Sequence, residues 1–127
     1  MTDVEKRALV DRYLEAYNAF DLDAMGATLH PDVSFENVAG GAVTASADGV
    51  DAFRALAERA AALFASRRQT VTAFRSTEGG AVAEVDYEGT LAQSLPGGPA
   101  AGETIRLRGR AEFTFRDGRI VRVVDRS

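Results

Sequence analysis

The sequence predicts an α+β domain in which three helices cover one face of a curved antiparallel sheet. Helical periodicity is confined to the first half of the chain, whereas period-two alternation dominates after residue 67. Helices followed by a run of strands, instead of alternating with them, are typical of the α+β class. The 127 residues contain no repeat and no linker, so we expect a single domain spanning residues 1–127.

Two helices are predicted at the start of the chain. The segment 2–5, Thr-Asp-Val-Glu, fits a capping box at a helix start. Apolar residues at three- and four-residue spacing continue this first helix to about Ala19. Asp21 is a suitable cap for a second, short helix from Leu22 to about Leu29, and Pro31 should end it.

A strand, a turn and a third helix are predicted next. From residue 32 the alternation has period two, which puts Val33, Phe35 and Asn37 on one strand face. A Gly-Gly turn and a short returning strand over 42–46 follow. The segment 48–66 then predicts a helix with Asp48 as its cap. Its apolar stripe consists of Phe53, Leu56, Ala60, Leu63 and Phe64.

Four strands complete the predicted architecture. They cover residues 69–77, 81–93, 103–116 and 119–127, with turns at 78–80 and at Asp117-Gly118. The segment PGGPAAG at 96–102 predicts a flexible loop, and its glycines would permit the region 94–103 to act as a lid.

Opposite charges face one another on the two long strands. The acidic row is Glu84, Asp86 and Glu88, and the basic row is Arg106, Arg108 and Arg110. Antiparallel pairing would make these rows cross-strand neighbours. The pattern indicates either an anionic-ligand site or a solvated or dimer-facing surface whose charges neutralise one another, and we favour the surface. The opposite face should meet the helices through Val85, Tyr87, Leu107, Phe113 and Phe115.

Composition and charge exclude several classes of function. With no cysteine, disulfides, thiolate nucleophiles and cysteine-ligated metals are excluded, and a single histidine, His30, cannot supply an imidazole-rich zinc site. We therefore expect neither a metal nor a cofactor. The net charge of −4, with arginines interspersed among acids, disfavours nucleic-acid binding. No apolar run approaches a membrane span or a signal peptide, so we expect a cytoplasmic protein without a membrane partner.

Five short motifs occur in a familiar order along the chain. They are Tyr13 and Tyr17 in the first helix, F-D-L-D-A-M at 20–25, L-H-P-D-V-S-F-E-N at 29–37, G-V-D-A-F at 49–53 and F-R-D-G-R-I at 115–120. In this the chain resembles the NTF2-like (cystatin-like) superfamily, in particular its SnoaL-like and ketosteroid-isomerase-like branch. The resemblance implies a cone-shaped sheet wrapped around three helices, an apolar pocket that takes a small-molecule ligand, and a homodimer.

The resemblance also assigns roles to individual positions. Ketosteroid isomerases use an aspartate base and two oxyanion donors, a tyrosine and a protonated aspartate. Tyr13 matches the donor tyrosine, Asn37 falls at the position of the base, and the second acid's position falls near Ala111. Because an amide cannot take a proton at neutral pH, and Glu36 points to the other strand face, we expect ketosteroid isomerisation to be absent.

Three residues are the candidates for catalysis: Asp125, His30 and Tyr13. Asp125 shares a face with Val121 and Val123, so it either enters the pocket, where burial would raise its pKa, or lies in solvent at a frayed strand end. His30, predicted at a helix end, either acts as a base or stabilises the helix dipole. Tyr13 either polarises a ligand carbonyl or belongs to the core.

Ligand-binding candidates come from the same inward faces. They are Asn37, Tyr17, Phe35, Phe53, Tyr87 and Phe113, and the aromatic ones could equally be core residues. The sequence thus supports a pocket protein for a small, largely apolar, cyclic or carbonyl-bearing molecule. If it is an enzyme, it is a cofactor-independent isomerase, cyclase or hydrolase. The alternatives are a non-catalytic binding or dimerisation module and, less in keeping with the charged sheet face, a protein-interaction adaptor.

Overall fold

The computed structural model describes residues 1–127. It has one curved, open sheet of six strands with three helices on one side. This architecture confirms the predicted α+β class. The helices are α1 (Asp3–Asn18), α2 (Leu22–Ala27) and α3 (Val50–Ala61). The strands are β1 (Leu29–Ala39), β2 (Ala42–Asp48), β3 (Phe64–Thr77), β4 (Gly80–Leu91), β5 (Thr104–Arg116) and β6 (Arg119–Arg126). None of the helices is both long and apolar enough to cross a membrane.

The strand order is β2-β1-β6-β5-β4-β3, and one pairing differs from the predicted antiparallel pattern. Residues 34–38 of β1 pair in parallel with residues 122–126 of β6, whereas all other neighbours are antiparallel. The predicted hairpin and the predicted four-stranded meander are therefore one sheet. The parallel pairing covers an edge of β6 that would otherwise leave backbone groups unpaired.

The first helix forms as predicted and is tied to the edge strand β3. Both halves of the capping box are present, with Thr2 N donating to Glu5 Oε1 at 2.8 Å and Glu5 N donating to Thr2 Oγ1 at 3.1 Å. Lys6 Nζ donates to the Thr77 carbonyl at 2.7 Å, and at the other end Asn18 exchanges two hydrogen bonds with the Gln69 backbone. These contacts fix both ends of α1 across β3.

The second helix is two residues shorter than predicted, and this moves His30. The helix ends at Ala27, and β1 begins at Leu29 because Ile120 N donates to the Thr28 carbonyl and draws the chain into the sheet. His30 is therefore a strand residue and does not lie at a helix end. Pro31 falls in the interruption of the β1–β6 pairing, where its missing N–H removes no ladder bond.

The third helix differs from the prediction at both ends. Its cap is Gly49, at φ +88°, and Asp48 is the last residue of β2. The helix ends at Ala61, because Phe64 pairs with Leu91 at the start of β3 and long-range pairing outweighs the helix propensity of the alanine-rich segment. Residues 64–66, predicted as helix, are strand.

The paired charges lie on the outer face of the sheet in the predicted register. Glu84, Asp86 and Glu88 lie opposite Arg110, Arg108 and Arg106, respectively. The pairs Arg106–Glu88 and Arg108–Asp86 have nitrogen–oxygen distances of 3.3 and 3.8 Å and are exposed, so each contributes about 1 kcal/mol or less.

The inner face of the sheet meets the helices, with one exception. Val85 and Phe113 are buried in the core with Leu9, Val10 and Val33. Leu107 was expected on this packed face, but its side chain is 49% exposed because the helices do not reach that part of the strand. Leu107 marks the open end of the inner surface.

Two glycine substitutions should have opposite effects on stability. A Cβ at Gly109 would lie 2.7 Å from the Arg126 carbonyl oxygen, a backbone atom that cannot move aside. Gly109→Ala should therefore lower the free energy of unfolding by about 1–3 kcal/mol. A Cβ at Gly26 meets nothing within 4 Å in α2, so Gly26→Ala should raise stability by about 0.5 kcal/mol. Urea denaturation of both variants is the measurement, and equal effects would contradict the close approach at Gly109.

Candidate functional site

A cavity of about 220 Å³ lies between α1, α3 and the inner face of the sheet. Nine of its twelve lining residues are hydrophobic, among them Phe35, Phe53, Leu56, Ala57 and Ala60. The three polar residues are Asn37, Arg67 and Asp125. An apolar wall with a few converging polar groups is the usual composition of a small-molecule site.

The sheet register forms the floor of this cavity. Asn37 on β1 lies beside Asp125 on β6, and Asp125 lies beside Ala111 on β5. The same row continues to Ala45 on β2 and Ala83 on β4. Ala45, Asn37 and Asp125 line the cavity, whereas Ala111 and Ala83 are buried in the core.

Asp125 is the one carboxyl group that lines the cavity. It makes no ion pair, and burial raises its pKa from 3.8 to about 7. The side chain keeps partial accessibility because it faces the cavity. Its neighbours in the row, Asn37 and Ala111, are the two positions at which the resemblance expected acids. A carboxyl group is thus present one strand away from each of these two positions.

Tyr13 faces the same cavity with an unpaired hydroxyl. Its ring is 3% exposed and packs edge-on against Phe53 and Phe113, with centroid distances of 6.4 and 5.8 Å. Burial raises the pKa of Tyr13 well above its ordinary value, and the nearby charge of Asp125 raises it further. The hydroxyl therefore stays protonated and is a hydrogen-bond donor at any physiological pH.

Tyr17 and Asn37 stand where the cavity meets a second one of about 340 Å³. Tyr17 Oη donates to Tyr87 Oη at 3.3 Å, and burial raises the pKa of both hydroxyls. Asn37 Nδ2 donates to Thr44 Oγ1 at 2.8 Å, which fixes the amide. Tyr87 lines the second cavity and not the first.

Arg67 lines the cavity as well, and it was not predicted from the sequence. It is 5% exposed, its Nε donates to the Tyr17 carbonyl at 3.0 Å, and its Cζ lies 3.7 Å from the centroid of the Tyr17 ring. The period-two alternation of β3 could have identified Arg67 as inward-facing, because Arg67 shares one strand face with Gln69 and Val71. It was missed because the predicted helix extended to residue 66.

His30 and Phe113 are predicted site residues that the structure does not bring into the cavity. His30 Nδ1 accepts a hydrogen bond from Asp32 N at 3.0 Å, and its Nε2 lies 3.5 Å from the Asp117 carboxylate. Phe113 is a core residue beneath Tyr13. Tyr13, Tyr17, Phe35, Asn37, Phe53 and Asp125 are brought together. No three histidine or acidic side chains are grouped closely enough to hold a metal ion.

The chain belongs to the SnoaL-like domain family, whose sequence model matches residues 10–123. The predicted membership of the NTF2-like superfamily and its SnoaL-like branch is therefore confirmed. No curated protein matches the sequence.

Solved structures with the same fold are numerous. A protein from Xanthomonas campestris pv. campestris, provisionally described as a polyketide cyclase, is 28% identical with a TM-score of 0.81, over 97% of this chain and 90% of its own. A protein from Pseudomonas putida with the same provisional description is 28% identical with a TM-score of 0.73, over 92% and 86%. TsrD from Streptomyces laurentii is 23% identical with a TM-score of 0.81, over 98% and 89%.

The raised pKa of Asp125 should make stability fall as the pH rises. Between pH 3.8 and about 7 the folded state keeps a proton on Asp125 that the unfolded state has released. The contribution of Asp125 to the free energy of unfolding therefore falls by about 1.4 kcal/mol per pH unit in this range. Above about pH 7 this contribution no longer changes with pH. Asp125→Asn removes this titration. Between pH 4.5 and pH 8 the free energy of unfolding of the wild type should fall by about 2–4 kcal/mol more than that of Asp125→Asn.

Urea denaturation at several pH values measures this difference. Asp48→Asn, which changes an exposed aspartate at the end of β2, is the matched control and should follow the wild-type profile. Parallel profiles for the wild type and Asp125→Asn would show that Asp125 ionises like an exposed carboxyl group.

Proposed function

We propose that this protein is a cofactor-independent enzyme that transfers protons on a small, largely apolar, cyclic or carbonyl-bearing molecule. The observation that carries the proposal is Asp125, the one carboxyl group in an apolar cavity, with a pKa raised to about 7 by burial. A general acid–base group works best when its pKa lies near the operating pH. At pH 7 Asp125 is present in both its basic and its acidic form.

The neighbouring groups suit chemistry next to a carbonyl group. Ionised Asp125 removes a proton from the carbon beside the carbonyl, and the electron pair of the broken C–H bond passes to the carbonyl oxygen. The Tyr13 hydroxyl, neutral and without a partner in the protein, donates a hydrogen bond to that oxygen as its charge develops. Protonated Asp125 then returns the proton, either to a different carbon or to an oxygen.

Cyclisation is the reaction favoured by the comparisons. Both structures described above at 28% identity carry the provisional description of polyketide cyclase. In an intramolecular aldol closure the carbanion attacks a second carbonyl carbon, and the acid protonates the resulting alkoxide, so one residue with a pKa near 7 serves both steps. Isomerisation uses the same groups without the closure.

The size of the cavity restricts the substrate. A cavity of about 150 Å³ holds benzene, so the 220 Å³ here suits one substituted ring. The adjoining second cavity, which meets the first at Tyr17, Asn37 and Asp125, would accommodate a second ring or a side chain.

Proton exchange on model ketones tests the proposal. In D₂O the protein should accelerate exchange of the protons beside the carbonyl of cyclohexenone or tetralone, as followed by proton NMR. The rate should rise with pH through about 7 and then level, because the ionised form of Asp125 is the base. Asp125→Asn should lower it by about 10²–10⁴-fold.

Two further variants show whether the reaction occurs in the cavity. Ala60 lines the cavity and Ala55 lies on the exposed side of α3, so Ala60→Phe should abolish exchange while Ala55→Phe should not. Ketone binding without exchange would overturn the catalytic role and leave a non-catalytic binding module. No binding of any ring compound would overturn the pocket itself.

Homodimerisation and a cytoplasmic location are further proposals, supported by the resemblance to the family and by the sequence. The charged outer face of the sheet is self-complementary, since acids on β4 and arginines on β5 would exchange partners across a two-fold axis. Sedimentation equilibrium should give twice the mass of 13.5 kDa, with a lower association constant at high salt. A monomer at millimolar concentration would contradict the dimer.

A further inference from the structure

Arg67 Nη2 is the one side-chain nitrogen or oxygen that is fully shielded from solvent and has no hydrogen-bond partner. The guanidinium group makes no ion pair with Asp125 although both residues line the same cavity, and burial alone accounts for the raised pKa of Asp125. A buried cation without a partner costs several kcal/mol unless something compensates for its lost hydration. The missing partner is therefore a feature that needs an explanation.

The surroundings of Arg67 hold the guanidinium group in one orientation. Nε donates to the Tyr17 carbonyl, and Cζ lies 3.7 Å from the Tyr17 ring centroid and 4.5 Å from the Phe20 ring centroid. Phe20 has φ +57°, a conformation that is uncommon for a bulky residue, and this turn after α1 sets its ring against Arg67. Cation–π contacts lower the cost of burying the charge but satisfy no N–H group.

The chemistry that satisfies such a group is an oxygen with negative charge. Guanidinium N–H groups match carboxylate and enolate oxygens in geometry, and the charge-assisted bonds are about twice as strong as neutral ones. The Tyr17 and Phe20 rings lie against the guanidinium group, and no protein acceptor bonds to Nη2. Because Arg67 lines the cavity, a ligand bound there is the nearest source of an acceptor.

We propose that Arg67 binds an acidic oxygen of the ligand, so that the pocket selects ring compounds that carry a carboxylate or an ionised enol or phenol. This inference rests on the proposed function, because it names the substrate class of the same cavity. The ligand then lies between two groups, with its anionic oxygen on Arg67 and its reacting carbon toward Asp125. Arg67 is the group that determines specificity and orients the ring.

Matched pairs of charged and neutral probes test this selectivity. The carboxylate arm compares cyclohexanecarboxylate with cyclohexanecarboxamide by calorimetry, and the phenolate arm compares 4-nitrophenol with 4-nitroanisole by absorption. At pH 6, where the Asp125 carboxyl group is mostly protonated, cyclohexanecarboxylate should bind about 10- to 100-fold more tightly than cyclohexanecarboxamide. Bound 4-nitrophenol should show the phenolate colour at a pH roughly one unit lower than free 4-nitrophenol.

Variants of Arg67 separate recognition from folding. Arg67→Met should remove the preference for the charged probe, because the charged probe then binds no more tightly than the neutral one. Arg68→Met, which changes the adjacent exposed arginine, should keep the preference. If Arg67→Met does not fold, Arg67→Lys carries the test, because it keeps the charge but loses the fork of donors and should weaken the preference.

The outcomes distinguish this inference from the proposed function. A preference for either charged probe, lost in the Arg67 variant, supports the inference, and the arm that shows it identifies the acid as a carboxylate or an enol. Equal binding of charged and neutral probes by the wild type would overturn the role of Arg67 while the pocket and the role of Asp125 stand. Failure to bind any probe would overturn both.

Discussion

The parallel pairing of β1 with β6 is the contact on which the rest of the structure depends. It joins residues about ninety positions apart, aligns Asn37 with Asp125, and turns a hairpin and a meander into one sheet. Without it Asp125 would lie at a free strand end, open to water, with an ordinary carboxyl pKa. The cavity floor, the raised pKa and the neighbouring hydrophobic core therefore all depend on one strand pairing.

The two charged groups of the cavity are informative because they do not pair with each other. An ion pair between Arg67 and Asp125 would lower the pKa of the carboxyl group and satisfy the guanidinium group. The apolar cavity instead separates a carboxyl group whose pKa is raised to about 7 from a guanidinium group with a free N–H group. Separation costs folding free energy, and a ligand that lies between them would recover part of that cost. Binding sites commonly keep such unfavourable groups where surrounding structure is stable enough to hold them.

The sequence predicted the fold, its element order and the charge pairs well because each depends on local patterns. A capping box, helical spacing and period-two alternation are short-range signals, and the acids and arginines of β4 and β5 fall into register through one connecting loop. Short-range patterns did not predict the parallel pairing of β1 with β6 or the cap at Gly49. The end of α3 was predicted too late because the pairing of Phe64 with Leu91 outweighs the helix propensity of an alanine-rich segment, and this error hid Arg67.

The candidate site was predicted in part, and the reason lies in how a sheet positions side chains. Assigning roles by sequence position found an amide at Asn37 and a methyl group at Ala111 where acids were expected, which suggested that the acid was missing. Neighbouring strands lie only about 5 Å apart, so a carboxyl group on the strand between these two positions reaches nearly the same space. Asp125 occupies that strand. In this chain the register of the sheet places the acid in the cavity, so the pairing of β6 with β1 and β5 has to be known before the acid can be located.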